Sequence, residues 1–255
     1  LTIIYFLFAF LFGTAIGSFL NVLIYRIPIG ISIIKPGSFC PKCNKPIKWY
    51  ENIPIFSFIF LNGKCSKCKE SISIHYLIVE VLTGFVFLYL FYRYNLRIDF
   101  YFYLFFFCSL IVTSGIDFTH QIIPNITSIP GIVIAVVFQL AKGNLVPGLV
   151  GMFFGGGLIL LIRVLGNWAY KKEVMGLGDV YLTAMIGGFV GFPFIIPSIF
   201  IAAFVGSIFG IIYLSTTHQS RENPIPFGPF LSIGGVTIVL FKTEIFYLLS
   251  KFGFY

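Results

Sequence analysis

The sequence predicts an all-α polytopic membrane protein of about eight transmembrane helices, with one small cytoplasmic loop domain. Two observations carry that expectation. The 255-residue chain is 58% hydrophobic and only 10% charged, with mean hydropathy +0.98, more apolar than a soluble fold with a large core. Its cations also gather in one polar stretch, where Arg26, Lys35, Lys42, Lys45, Lys48, Lys64, Lys67 and Lys69 lie between Tyr25 and Ser73.

Apolar stretches long enough to span lie roughly at 1–24, 74–92, 100–116, 126–142, 145–165, 178–192, 194–214 and 230–249. Gly and Pro interrupt the fifth to eighth. The first differs from a secretory signal: it has no basic leading region, and it runs on into Asn21 and Arg26 without a small-residue cleavage site. It reads as a retained span, with Leu1 marking a trimmed or unusual initiating residue. Gly13-x-x-x-Gly17, Gly155-Gly156-Gly157 and Gly187-Gly188 fit close helix packing.

Charge sets the orientation. The basic loop belongs in the cytoplasm, which puts the N-terminus outside. Alternating spans then bring the loops at 117–125, 166–178 and 215–229 inside, with Arg163, Lys171, Lys172 and Arg221 in or near them. The outer loops hold fewer cations, among them Arg93, Arg97 and Lys142. Anionic lipid and topology account for the net charge of +8, so a nucleic-acid partner is unnecessary.

The polar stretch 28–73 is punctuated by Pro36, Gly37, Pro41, Pro46, Pro54 and Gly63, and it is too small for a core of its own. Within it lie Cys40-Pro41-Lys42-Cys43 and Cys65-Ser66-Lys67-Cys68. Paired C-x-x-C turns suit a closed tetrahedral Zn²⁺ site. Two disulfides fit a cytoplasmic loop poorly, and no βαβ pattern supports a redox motif. Cys108, in an aromatic span, reads as a buried apolar thiol. His75, His120 and His218 show no metal-binding spacing.

Two acids stand at cytoplasmic ends of apolar segments: Asp117 in Gly115-Ile116-Asp117-Phe118, and Asp179 in Gly176-Leu177-Gly178-Asp179. A carboxylate at a helix centre costs roughly 2.5–3.5 kcal/mol on insertion, so such an acid is a functional candidate. Facing carboxylates divide acid and base roles between them. Helix capping or pairing with a nearby Lys fits the same positions. Glu80 is a third unusual acid, for which a salt bridge to Arg26 or a helix N-terminal charge is the plain alternative. Asn21 and Arg26 suit substrate, lipid head groups or simple packing.

In order along the chain, these features resemble the bifunctional type IV prepilin leader peptidases, membrane aspartic proteases of the G-x-G-D kind. Gly17-Ser18-Phe19-Leu20-Asn21-Val22 and Tyr25-Arg26-Ile27-Pro28 open the resemblance. The cysteine pairs follow, with Asn52-Ile53-Pro54 between them. His75-Tyr76, Val79-Glu80, Asp117 with Ile123-Pro124, Gly176-Leu177-Gly178-Asp179-Val180 and Pro226-Phe227-Gly228-Pro229-Phe230 complete it. The chain departs from the family at Tyr181, where a Lys is frequent, and at Asn125, where an Asp is frequent.

The resemblance implies cleavage of basic leaders from prepilins or pseudopilins at the cytoplasmic face of the bacterial inner membrane. It also implies N-methylation of the exposed residue from S-adenosylmethionine. Asp117 and Asp179 carry over as the catalytic pair. Gly176 and Gly178 would let an extended substrate approach, although flexibility before a helix also explains them. No Gly-rich strand–turn–helix fingerprint places the cofactor. The metal loop and Glu80 are the methyltransferase candidates. The implied division is a first transmembrane helix at 1–27, a four-cysteine zinc loop at 28–73 and a multi-helix peptidase at 74–255. A peptidase without methylation, or a small transporter or scaffold with a zinc knuckle, is the rival expectation; oligomeric state is not legible.

Overall fold

The computed structural model describes residues 2–217 and 225–251. Leu1, His218 and Arg221 lie outside these. The described residues are helical without strands: α1 (Thr2–Arg26), α2 (Phe56–Phe60), α3 (Ile74–Tyr94), α4 (Ile98–His120), α5 (Asn125–Ala141), α6 (Leu145–Tyr170), α7 (Leu177–Val190), α8 (Ile195–Thr217), α9 (Gly228–Leu240) and α10 (Lys242–Lys251). They form two compact units, Leu1–Val112 and Thr113–Tyr255.

Each apolar stretch named above is mostly helix among the described residues, the last split between α9 and α10, yet length and composition do not establish eight crossings. Five helices are long and apolar enough to cross a membrane: Ile3–Arg26, Ile74–Tyr94, Ile98–His120, Leu145–Tyr170 and Ile195–Thr216. A sixth follows if α9 and α10, bent by 85°, count as one span. The chain is a multi-pass helical membrane protein. The physical obstacle is clearest at α7, whose 14 residues reach only about 21 Å against a hydrocarbon core of about 30 Å.

In the first unit α1 packs along α3. The approach is close because Gly13 and Gly17 face α3. A methyl on Gly13 would lie 2.5 Å from the Phe87 Cβ, and one on Gly17 would lie 2.7 Å from the Glu80 Cα. Phe87 then meets Phe100 edge to face, with ring centroids 5.0 Å apart. The loop between α1 and α3 carries the cysteines on two turns, with a 3₁₀ turn at Trp49–Asn52 and the single turn of α2 between them.

In the second unit α7 is the hub, packed by α5, α6, α8 and α9. Apolar all round, it buries Val180, Leu182, Met185, Ile186 and Phe189, as a helix enclosed by protein should. Small residues permit this. Gly151 of α6 would drive a methyl to 2.5 Å from the Gly187 carbonyl, Gly155 faces Ile195, Gly156 faces Ala184 and Gly188 faces Ala135. Gly157 has nothing within 4 Å, so the packing role expected for the triple glycine holds for its first two members. Cys108 is half-buried rather than buried.

Candidate active site and metal centre

Asp117 lies in the last turn of α4 and is 5% exposed. The carbonyls ending α4 disfavour negative charge there, so the carboxylate needs a donor from elsewhere. It has one. The Gly228 N–H, at the first residue of α9, donates to Asp117 Oδ2 at 2.8 Å. The start of α9 explains why this amide is free. Pro229 carries no N–H, and the Phe230 and Leu231 amides both turn back to the Phe227 carbonyl at 3.1 Å. Gly228 is thus the orphan donor of the first turn, and Asp117 satisfies it. One turn earlier on α4, the Ser114 hydroxyl donates to Ser232 Oγ at 2.9 Å, and Ser232 donates to the Gly228 carbonyl at 2.9 Å.

Asp179 is 8% exposed and occupies the first turn of α7, where the helix dipole favours an acid. Its carboxylate faces the backbone N–H of Gly176, the residue capping α7, and lies within electrostatic reach of Asp117. Ile123 links the two sides. A methyl on Gly178 would sit 2.5 Å from the Ile123 Cβ, and one on Gly228 would sit 3.2 Å from the Ile123 Cδ1 and 2.8 Å from Asp117 Oδ2. Gly176 has more room, its nearest contact being Asp179 Oδ2 at 3.6 Å. The structure therefore brings the two aspartates together, with neither engaged by a lysine among the described residues.

The turn leading into Gly176 is held by α6, which the sequence did not disclose. Arg163 Nε donates to the Met175 carbonyl at 2.9 Å and Nη2 to Glu173 Oε1 at 2.8 Å, while the Val174 N–H donates to Asn167 Oδ1 at 2.8 Å.

In the first unit the four sulfurs of Cys40, Cys43, Cys65 and Cys68 all lie within 4.8 Å of one another. Cys40 and Cys68 are 3.9 Å apart, Cys43 and Cys65 4.0 Å. A tetrahedron with metal–sulfur bonds of about 2.3 Å has edges of roughly 3.8 Å, so the set fits a tetrahedral ion. The two turns are near copies. Cys40 N–H donates to the Lys45 carbonyl and Asn44 N–H to the Cys40 carbonyl; Cys65 N–H donates to the Glu70 carbonyl and Lys69 N–H to the Cys65 carbonyl. Asn44 and Lys69 both adopt positive φ, at 55° and 60°. The amides of Cys68 and Lys67 point at the Cys65 sulfur and draw its thiol down to about 6, while at Cys68 the pull of the Glu70 amide is outweighed by burial and the neighbouring sulfurs, which push that thiol up to about 11. No disulfide joins these residues.

Lys45 ties the two turns together, donating to Ser66 Oγ at 2.5 Å and to Glu51 Oε1 at 2.9 Å. Hydrogen bonding to Ser66 first, then to Lys45 and the Lys48 amide, brings the Glu51 carboxyl down to about 2. Glu80, on α3, is buried, and it does not pair with Arg26. The Arg26 guanidinium instead donates to the Ser32 and Gly37 carbonyls at 2.8 and 3.0 Å. Glu80 Oε2 accepts from the Ile55 N–H at 2.8 Å. Asn21 Nδ2 donates to the Tyr76 carbonyl at 3.0 Å, a packing role.

A multi-pass helical protein with a buried carboxylate pair in one unit and a four-cysteine centre in the other is the class that fold and sites define. Residues 11–94 match the bacterial peptidase A24 N-terminal domain and residues 104–211 the type IV leader peptidase family. Relatives bear the name prepilin leader peptidase/N-methyltransferase. One from Myxococcus xanthus is 34% identical, covering 84% of this chain and 64% of the relative. Another from Pseudomonas aeruginosa is 31% identical over 92% of this chain and 90% of the relative, and one from Aeromonas salmonicida is 32% identical over 95% and 92%. No solved structure matches the chain. This chain belongs to the type IV leader peptidase family.

Proposed function

We propose that Asp117 and Asp179 are the peptidase pair with which this chain cleaves the leader of a prepilin or pseudopilin, and that it then N-methylates the residue left exposed. The observation that carries the peptidase half is the meeting of two buried carboxylates from separate helices, one of them oriented by the Gly228 amide. One carboxylate removes a proton from water as the oxygen attacks the scissile carbonyl. The other gives a proton to the departing amine, and the pair titrates as a unit. Gly176 and Gly178 leave the entrance to α7 free of side chains where an extended leader would pass Asp179, with Gly178 also making room for Ile123.

Cys40, Cys43, Cys65 and Cys68 would hold a structural Zn²⁺ closing the 28–73 loop, in place of a core that so short a segment cannot build. For methylation, bound S-adenosylmethionine supplies the methyl group. At the pilin end an ammonium must lose a proton before its nitrogen can form the new N–C bond, and Glu80 is the residue we assign to the methyl-transfer site. Residues 1–27, 28–73 and 74–255 would serve as first span, four-cysteine zinc loop and peptidase. With the N-terminus outside, alternating crossings before each aspartate would leave the loops at 117–125 and 166–178, and with them both aspartates, on the cytoplasmic side of the inner membrane, where a basic leader lies. Membrane lipid is the surrounding partner and nucleic acid none.

The test mixes purified protein in detergent with a prepilin precursor and S-adenosylmethionine and weighs the products. Asp117→Asn and Asp179→Asn should each abolish cleavage with melting temperature unchanged, since Asn keeps the shape and loses the proton chemistry. Processing near the wild-type rate by either variant would remove the pair from the mechanism.

A further inference from the structure

The first unit contains a cavity of about 400 Å³, within the range of small-molecule pockets, about 300–1,000 Å³. Asn21 and Tyr25 of α1, Tyr76 and Glu80 of α3, and Glu51 and Asn52 of the loop contribute to its wall. The two carboxylates differ. Glu51 is matched by Lys45 at 2.9 Å, whereas Glu80 makes no ion pair among the described residues. Its partners are neutral: the Ile55 amide and, facing it from α1, the Ser18 hydroxyl. A carboxylate taken out of water with only neutral partners remains costly until a cation completes it.

The backbone that holds Glu80 is strained. Ile55 sits at φ 63°, ψ −54°, and the Phe56 N–H closes a three-residue turn on the Pro54 carbonyl at 2.6 Å. This positive-φ γ-turn is rare for any residue, and a β-branched side chain makes it worse. Such a conformation costs about 1–3 kcal/mol and persists where the surroundings over-determine it, commonly at ligand sites. Here the turn aims the Ile55 N–H at Glu80 Oε2, fixing one carboxylate oxygen at the cavity wall.

We infer that this cavity seats S-adenosylmethionine, with Glu80 set against the positive charge of its sulfonium and the Ile55 turn holding Glu80 in place. The inference rests on the reading that the chain methylates. The wall suits the molecule's chemistry. Tyr25 and Tyr76 offer aromatic faces to a purine, Asn52 offers an amide to its polar edges, and Glu80 is the one acid there without a cation of its own.

The test is binding, with no turnover. Affinities of the purified full chain are measured for S-adenosylmethionine, for sinefungin, which carries an amine cation in place of the sulfonium, and for S-adenosylhomocysteine, which is neutral at sulfur. Wild type should prefer the two cations. Glu80→Gln should lose about tenfold or more for the cationic pair and little for the neutral one, collapsing that preference. Gly37→Ala adds a methyl to the same loop with nothing within 4 Å of it, so it should bind as wild type does, and it reports that the loop tolerates change. Metal content and melting temperature confirm that each variant is folded. An equal loss for all three ligands in Glu80→Gln would make Glu80 a structural group and overturn the placement. So would an unchanged preference, or a wild type that methylates pilin yet shows no preference. A wild type that neither methylates nor binds would overturn the methylation reading with it.

Discussion

Adding one methyl group at Gly228 should disable leader cleavage without touching either aspartate. The ideal Cβ of an alanine there would lie 2.8 Å from Asp117 Oδ2 and 3.2 Å from the Ile123 Cδ1. Ordinary carbon–oxygen contacts are longer, so the carboxylate must move away, and the Gly228 N–H bond at 2.8 Å is what it moves away from. A hydrogen bond to a charged group contributes about 1.5–3 kcal/mol. If that orientation is needed in the transition state, the loss is about 10- to 150-fold in rate, at about 1.36 kcal/mol per factor of ten. The measurement is kcat/KM for cleavage of a prepilin precursor by Gly228→Ala in detergent. Gly157→Ala is the control, because nothing lies within 4 Å of the added methyl. Full activity in Gly228→Ala, with melting unchanged, would show that Asp117 does not act through this orientation. An equal loss in Gly157→Ala would show that the unit tolerates no added volume at all.

Three further outcomes follow from the same geometry. Freshly prepared protein should hold close to one zinc per chain, and serine at any of Cys40, Cys43, Cys65 or Cys68 should release it while methylation falls further than cleavage; metal analysis with product masses checks both. Arg163→Gln should free the Met175 carbonyl and lower cleavage by about fivefold per lost hydrogen bond of about 1 kcal/mol, with Arg163→Lys intermediate and the metal content unchanged. Single cysteines placed beside Asp117 and Asp179, in a background lacking nearby native thiols, should resist an impermeant thiol reagent from outside intact cells and react once the inner face is opened; labelling from outside would overturn the proposed topology.

How much of this was legible depends on whether the information resides in side chains or in backbone. The cysteine quartet was readable because each turn brings two ligands together within four residues, and the structure supplies only the meeting of the two turns. Asp117 and Asp179 stood out because charge is rare in an apolar chain. Glu80 stood out for the same reason, but its partner could not be read: the donor is a backbone amide at Ile55, and an amide has no letter of its own. The same holds for Gly228, visible only as part of Pro226-Phe227-Gly228-Pro229-Phe230. Its role depends on Pro229 lacking an N–H and on Phe227 accepting the next two. Arg163 read as a topology signal because sequence spacing does not show that α6 ends beside the turn before Gly176. Span counting by hydropathy treated α7 like its neighbours, although burial by protein and burial by lipid demand the same apolar composition.

That ambiguity at α7 bears on how the pair is built. A helix too short to cross about 30 Å of hydrocarbon can begin within the protein, and Asp179 stands in its first turn. Asp117 stands in the last turn of α4, at the opposite pole of a helix. Two chemically identical acids therefore meet from ends of opposite dipole, and the protein compensates the less favourable one by supplying the start of a third helix, α9, through Gly228. Under the proposed mechanism the pair divides two proton-transfer roles and its members must differ, and side-chain identity cannot distinguish two aspartates. Three helix termini meeting at Ile123 can. Asparagine at either position would keep that arrangement of backbone poles while removing the carboxylate. The two single variants should therefore fold alike and fail alike, while Gly228→Ala fails through Asp117 alone.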